Sequence, residues 1–182
     1  MSQLPPRMPP LPADQWTDEV HDFFALLDPA ATRDAGTRWT SLQIMANHPK
    51  LSLAWGGYNK FIMQDLELDP KLREIAILRV GHRYNSTYEW FHHCNIGRSV
   101  GLTDAQIEAV KVGPADPVWS PLEAHVLQAV DDIIDRAETS DATWAELIGE
   151  LGPKQLMELL YTIGTYGVVA WVFNSMRVPL EE

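Results

Sequence analysis

The window from Lys71 to Gly101 is the richest in this 182-residue chain in side chains that could do chemistry. Glu89 and His93 stand four residues apart, so on a helix their side chains meet on one face, and Ser86 falls one turn earlier on the same stripe. A carboxylate beside an imidazole favours the charged ring and fixes its orientation, as a proton-transferring histidine requires. An exposed pair at this spacing would contribute only about 0.2–0.5 kcal/mol of helix stability. Three neighbours favour the chemical reading: Trp90 and Phe91 flank the pair, His92 adjoins it, and a preceding helix carries Arg73-Glu74. Aromatic walls around titratable groups point to a pocket in which desolvation tunes pKa values.

A metal centre is the competing use of the same side chains, with Glu89, His92 and His93 joined by Glu74 or His48. The pattern argues against it, because adjacent histidines point in different directions on a helix and no His-x-x-x-His occurs. Thiol chemistry is limited further. Cys94 is the single cysteine, which excludes an internal disulfide and a multi-thiolate zinc site within one chain and favours a reducing, cytoplasmic setting.

These residues need helices to position them, and the sequence supplies helical spacing throughout. Trp16, Val20, Phe23 or Phe24, and Leu27 form one stripe in a helix that opens at Asp14 and stops at Asp28-Pro29. A short helix around Thr40 to Asn47 ends at His48-Pro49, and another from Pro49 carries Leu53, Trp55, Tyr58, Phe61 and Ile62 toward Asp65. Asp69-Pro70 is an N-cap followed by proline at the first helical position, opening a helix to about Tyr84. Asn85-Ser86-Thr87 is a break or cap, and the helix after it runs through Val100 to Gly101, a residue suited to a left-handed C-terminal cap.

Thr103-x-x-Gln106 and Ser120-x-x-Glu123 are capping boxes, the first starting a short helix to Lys111 and the second a longer one through Val126, Val130 and Ile133 or Ile134. Residues 113–117 between them, with two prolines and a glycine, form a loop. A helix near Asp141 to Glu150 closes at Gly152, and Pro153 begins the last helix, Lys154 to about Asn174. That helix is apolar nearly all round, which suits a core position or a subunit interface, and Gly164 and Gly167 would admit a close neighbour. With no strand-like alternation or internal repeat, the fold class is all-α: a helical bundle.

Composition sets the outer limits. The chain is 46% hydrophobic and fits one domain, residues 14–182, preceded by a proline-rich arm over residues 1–13 that favours an extended conformation. The formal net charge of −11 repels phosphate backbones and anionic membranes, so neither nucleic acid nor a membrane is an expected partner. A small anionic substrate remains compatible, since a few arginines outweigh the global field at close range. Met1 to Pro12 offers no continuous apolar run to serve as a signal-peptide core, and no stretch reads as the roughly 20 apolar residues of a membrane span.

Lys71-Leu-Arg-Glu-Ile-Ala-Ile-Leu-Arg-Val80, then Tyr88-Glu-Trp-Phe-His-His93, then Gly97-Arg98 and Gly101-Leu-Thr-Asp-Ala-Gln-Ile107 resemble the carboxymuconolactone decarboxylase and AhpD-like group. The resemblance implies an AhpD-like bundle, commonly a trimer or hexamer. In the peroxidase branch a glutamate on one helix precedes a Cys-x-x-Cys-x-x-x-His run on the next. Glu74 matches that glutamate and His93 that histidine, while Ser86 and Glu89 occupy the cysteine positions. Without the dithiol, and with Cys94 about 100° round the helix from His93, thiol peroxidase chemistry loses its basis.

The decarboxylase branch implies a lyase acting on carboxylated lactones from aromatic breakdown, with no metal or organic cofactor. In that frame His93 is the proton donor or shuttle, Glu89 its orienting carboxylate and Glu74 a second carboxylate lining the site. Ser86 and His92 are candidate hydrogen-bond donors to substrate, and Arg73 or Arg98 a candidate clamp for a substrate carboxylate. Two other outcomes use the same residues: an isomerase or hydrolase on a related ring-cleavage acid, and a non-catalytic oligomeric or regulatory member of the group.

Overall fold

The computed structural model describes residues 5–181, so the first four residues of the N-terminal arm lie outside the described residues. The fold is all-α, with a 3₁₀ turn at Ala13–Gln15 followed by α1 (Asp18–Leu27), α2 (Thr40–Met45), α3 (Pro49–Gln64), α4 (Pro70–Arg83), α5 (Thr87–Ser99), α6 (Asp104–Val112), α7 (Pro121–Arg136) and α8 (Asp141–Met176). Two compact units divide the chain, one comprising residues 1–65 and 172–182 and the other residues 66–171.

In the first unit α1 packs against α3, and Val20, Phe23, Phe24, Leu42 and Ala46 form its buried core. Gly56 faces α1 so closely that an added Cβ would lie 3.1 Å from Leu26 Cδ2. The proline-rich arm lies on this unit, with Arg7 N–H donating to Met176 O at 2.9 Å and Leu11 N–H to Gln43 O at 3.0 Å. The first helix begins at Asp18 rather than Asp14, because residues 13–15 turn as a 3₁₀ segment and Trp16 is extended with its indole N–H bonded to Leu11 O.

The second unit is built round α4, which packs against α5, α6 and α7 and buries ten consecutive residues, Leu72 through Gly81. A helix buried on all sides must satisfy every charge it carries. Arg79 does so with a two-pronged pair to Asp131 on α7, both contacts 2.8 Å, and with Val110 O and Lys111 O at the end of α6. Arg73 and Glu74 do so within the site described below.

The helix ends follow local chemistry. Asp69 accepts from Lys71 N–H ahead of Pro70, and the Thr103 and Ser120 capping boxes both form. Gly101 and Gly152 take positive φ, and at Gly152 the last helical stretch kinks into two segments, 141–151 and 153–176. By length and composition α8 does pass as a membrane span, with a mean hydropathy of 1.4 over its most apolar 18 residues, contrary to the reading from sequence. Within the protein 61% of that window is buried, which suits a core helix.

Candidate functional site

A three-residue link brings α5 back alongside α4. Asn85 adopts left-handed backbone (φ 53°), a conformation asparagine tolerates better than most residues, and Ser86 N–H then donates to Gly81 O at 2.8 Å. Gly81 lies at the contact between the two helices, where an added Cβ would sit 3.5 Å from Glu89 Cβ, an ordinary van der Waals distance. The two helices therefore run back to back, and residues far apart in the chain face each other.

His93 is the centre of the resulting cluster. Its Nδ1 lies 2.7 Å from Glu74 Oε2, and its Nε2 lies 3.6 Å from Glu89 Oε2. The other Glu74 oxygen accepts from Arg73 Nε at 3.1 Å. Tyr166 on α8 presents its ring edge-on to the imidazole, with centroids 4.9 Å apart and planes at 85°. Glu74, Glu89 and His93 are 0%, 5% and 6% exposed, so the array is a buried acid–base set and not a surface ion pair.

Burial pushes the Glu89 carboxyl up to about 6, with Glu74 adding to the rise and His93 opposing it. For His93 burial disfavours the imidazolium, but the charge of Glu74, its hydrogen bond and the charge of Glu89 together outweigh burial and Arg73, so the ring's pKa is raised. A carboxyl pushed up to about 6 beside an imidazole whose pKa is raised forms a pair that can hold and pass a proton.

Glu74, Glu89 and His93 are thus brought together, with Ser86 one turn before Glu89. Ser86 is 1% exposed, and its Oγ is buried with no hydrogen-bond partner. The division of labour between the two carboxylates differs from the expectation: the near contact that orients the ring comes from Glu74 across the helix pair, while Glu89 faces the opposite ring nitrogen. Arg73 is buried and bonded to Glu74. His92 is half-buried, its ring centroid 4.4 Å from that of Tyr88 with the planes tilted by 53°. Arg98 is not brought to the cluster; it is exposed and donates to Asp104 and Asn95.

Cys94 is buried, and burial raises its thiol pKa, which disfavours the thiolate. His48 accepts from Leu51 N–H as the N-cap of α3. Among the described residues no group of three His, Cys, Asp or Glu side chains is arranged to hold a metal ion. Tyr166 escaped the reading from sequence because it looks like one more apolar position on an apolar helix.

The family model of carboxymuconolactone decarboxylases matches residues 49–132, a span that holds Glu74, Ser86, Glu89 and His93. Across that span, a little under half of the chain, the sequence is similar to the carboxymuconolactone decarboxylase family. The fold is AhpD-like. A peroxidase-related protein with an AhpD core from Ralstonia eutropha JMP134 superposes with a TM-score of 0.80 at 15% identity, covering 96% of this chain and 91% of that one. A peroxidase-related protein from Silicibacter sp. TM1040 gives 0.77 at 16% identity, covering 98% and 94%. The debrominase Bmp8, as a cysteine-to-alanine variant in complex with 2,3,4-tribromopyrrole, gives 0.75 at 16% identity, covering 99% and 94%. No curated protein matches the sequence. At such identities the structural likeness establishes the shared fold, and the chemistry follows from this chain's own site.

Proposed function

We propose that this protein is a lyase that decarboxylates a small carboxylated lactone or related acid from aromatic-compound catabolism, with His93 and the two glutamates handling the proton. The observation that carries this reading is the buried imidazole held between carboxylates at both ring nitrogens. Breaking the bond to CO2 leaves an electron pair that delocalises onto a neighbouring carbonyl as an enolate. A proton must then reach the carbon that lost CO2. His93 Nδ1–H donates to Glu74, which fixes the ring, and Nε2–H is the proton to be delivered. Glu89, beside Nε2, relays the replacement proton from solvent, so the net change is carboxylate plus proton to CO2 and a C–H bond.

The reading also makes the chain a homo-oligomer with an anionic small molecule as its other partner. Met157, Tyr161, Gly164, Val168 and Trp171 recur every three or four residues along α8 and are all exposed, an apolar stripe that favours burial against another subunit. The test of the activity is CO2 release from a panel of carboxylated muconolactones and related ring-cleavage acids, comparing wild type with a folded His93→Ala variant. Release that disappears in the variant supports the lyase. Isomerised or hydrolysed products without CO2 would replace decarboxylation with a different proton-transfer outcome.

A further inference from the structure

A depression of about 240 Å³ opens at the start of α5, lined by Gly81, His82, Ser86, Thr87, Trp90 and Lys111 among others. Nothing in the proton-transfer array accounts for Lys111, His82 or this opening. Three independent features of it suit an anion. The first turn of the 13-residue α5 presents backbone N–H groups that have no acceptor within the helix, at the positive end of its dipole. Ser86, the residue at its N-cap, makes no capping bond, and its buried Oγ has no partner, so a hydroxyl donor is unused at the floor of the depression.

Lys111 supplies a full charge at the rim, with its Nζ 5.1 Å from the centroid of the Trp90 ring. Its ion pair with Glu108 is solvent-exposed, a type worth little, so the ammonium can turn to a ligand at small cost. Cationic side chains gather beside the depression despite the chain's net charge. Burial first, then the charges of Arg79, Lys111 and Arg83, hold His82 below its usual pKa, and Asp131 only partly offsets them.

We infer that this depression is a docking site for the carboxylate of a small planar acid, held by Ser86 and Lys111 against the Trp90 ring. The volume lies below the roughly 300–1,000 Å³ usual for drug-sized ligands, so the occupant is of single-ring size. The inference rests on the lyase reading, because it places a retained carboxylate of the substrate one helical turn before Glu89, leaving the scissile one for His93. Lys111 is then a specificity-determining residue that selects acids carrying a second anionic group.

The experiment is calorimetric titration of the full chain with sodium benzoate, and with benzamide as the uncharged counterpart, in wild type, Lys111→Met and Ser86→Ala. Saturable benzoate binding that weakens about tenfold in Lys111→Met, with benzamide binding at least tenfold more weakly than benzoate to wild type, is expected for a charge-assisted contact. Equal binding of benzoate to wild type and Lys111→Met, equal binding of benzoate and benzamide, or no saturable binding overturns the site. Glu89→Gln, inactive under the lyase reading, is expected to bind benzoate like wild type. Lys111-dependent binding in a protein that releases no CO2 would overturn the lyase and leave the anion site standing. Lys111-independent binding in an active lyase would do the reverse.

Discussion

His93 takes its two carboxylate neighbours from two different helices: Nδ1 lies 2.7 Å from Glu74 Oε2 on α4, and Nε2 lies 3.6 Å from Glu89 Oε2 one turn back on α5. Replacing Glu74 by Ala removes the acceptor of both Arg73 Nε and His93 Nδ1 from a fully buried position. Breaking a buried charge pair typically costs about 3–5 kcal/mol, and urea denaturation of Glu74→Ala is expected to fall in that range. A loss under about 1 kcal/mol would show that the pair does not hold the site together.

The pH dependence of stability carries the sign of the Glu89 shift. Its folded pKa, about 6, lies above the ordinary 4.5, so its contribution is fully present below pH 4.5 and is lost as pH rises through 6. Glu89→Gln removes that loss. The stability of the variant relative to wild type should therefore rise by about 2 kcal/mol between pH 4.5 and 7, as a shift of this size implies. A difference independent of pH would contradict the buried, proton-retaining carboxyl.

His93 behaves in the same sense, since its pKa is raised above 6.5 chiefly by Glu74 against the cost of burial. Its stabilisation is present below pH 6.5 and disappears as pH climbs through the folded value. In Glu74→Gln the imidazole should titrate at lower pH than in wild type, read from the pH dependence of its ring resonances by NMR. An unchanged midpoint would mean that Glu89 alone sets the ring's charge.

Gly113 takes φ 102° and ψ −156°, a region almost restricted to glycine, and an added Cβ would sit 2.7 Å from Arg79 Nη2. Gly113→Ala should cost about 1–3 kcal/mol from the backbone alone and disturb the bonds from Arg79 to Val110 O and Lys111 O. Thermal unfolding checks this; a melting point equal to wild type would show that the loop yields freely.

The stripe on α8 makes a separate prediction about assembly. Tyr161→Glu combined with Val168→Glu places two charges on the exposed apolar face and should convert the proposed oligomer to a smaller species in light scattering, with helical content unchanged. The same mass for variant and wild type would rule this face out as the subunit contact.

What could be read from the sequence divides along the range of the interactions. The capping boxes at Thr103 and Ser120 and the Asp69-Pro70 start are local, set within four residues, and each formed as expected. The end of α7 was not legible, because it stops in left-handed backbone at Ala137, where no glycine or asparagine marks the turn. Glu89 could be paired with His93 from helical spacing alone. The closer Glu74 contact crosses two helices and was not legible: the family resemblance placed Glu74 only as a second carboxylate lining the site, and neither signal reached Tyr166. Lys111 joined the depression at Ser86 only once α6 packed beside α4 and α5.

The central claim is that His93 delivers a proton to the carbon vacated by CO2, and product analysis after reaction in D2O tests it most directly. With a carboxylated lactone that turns over, the account predicts one deuterium at the former carboxyl-bearing carbon. It also predicts a rate in His93→Ala reduced by at least about a hundredfold, the scale of a lost general acid. Wild type that releases no CO2 from any member of the panel, or a folded His93→Ala variant that turns over as fast as wild type, would contradict it.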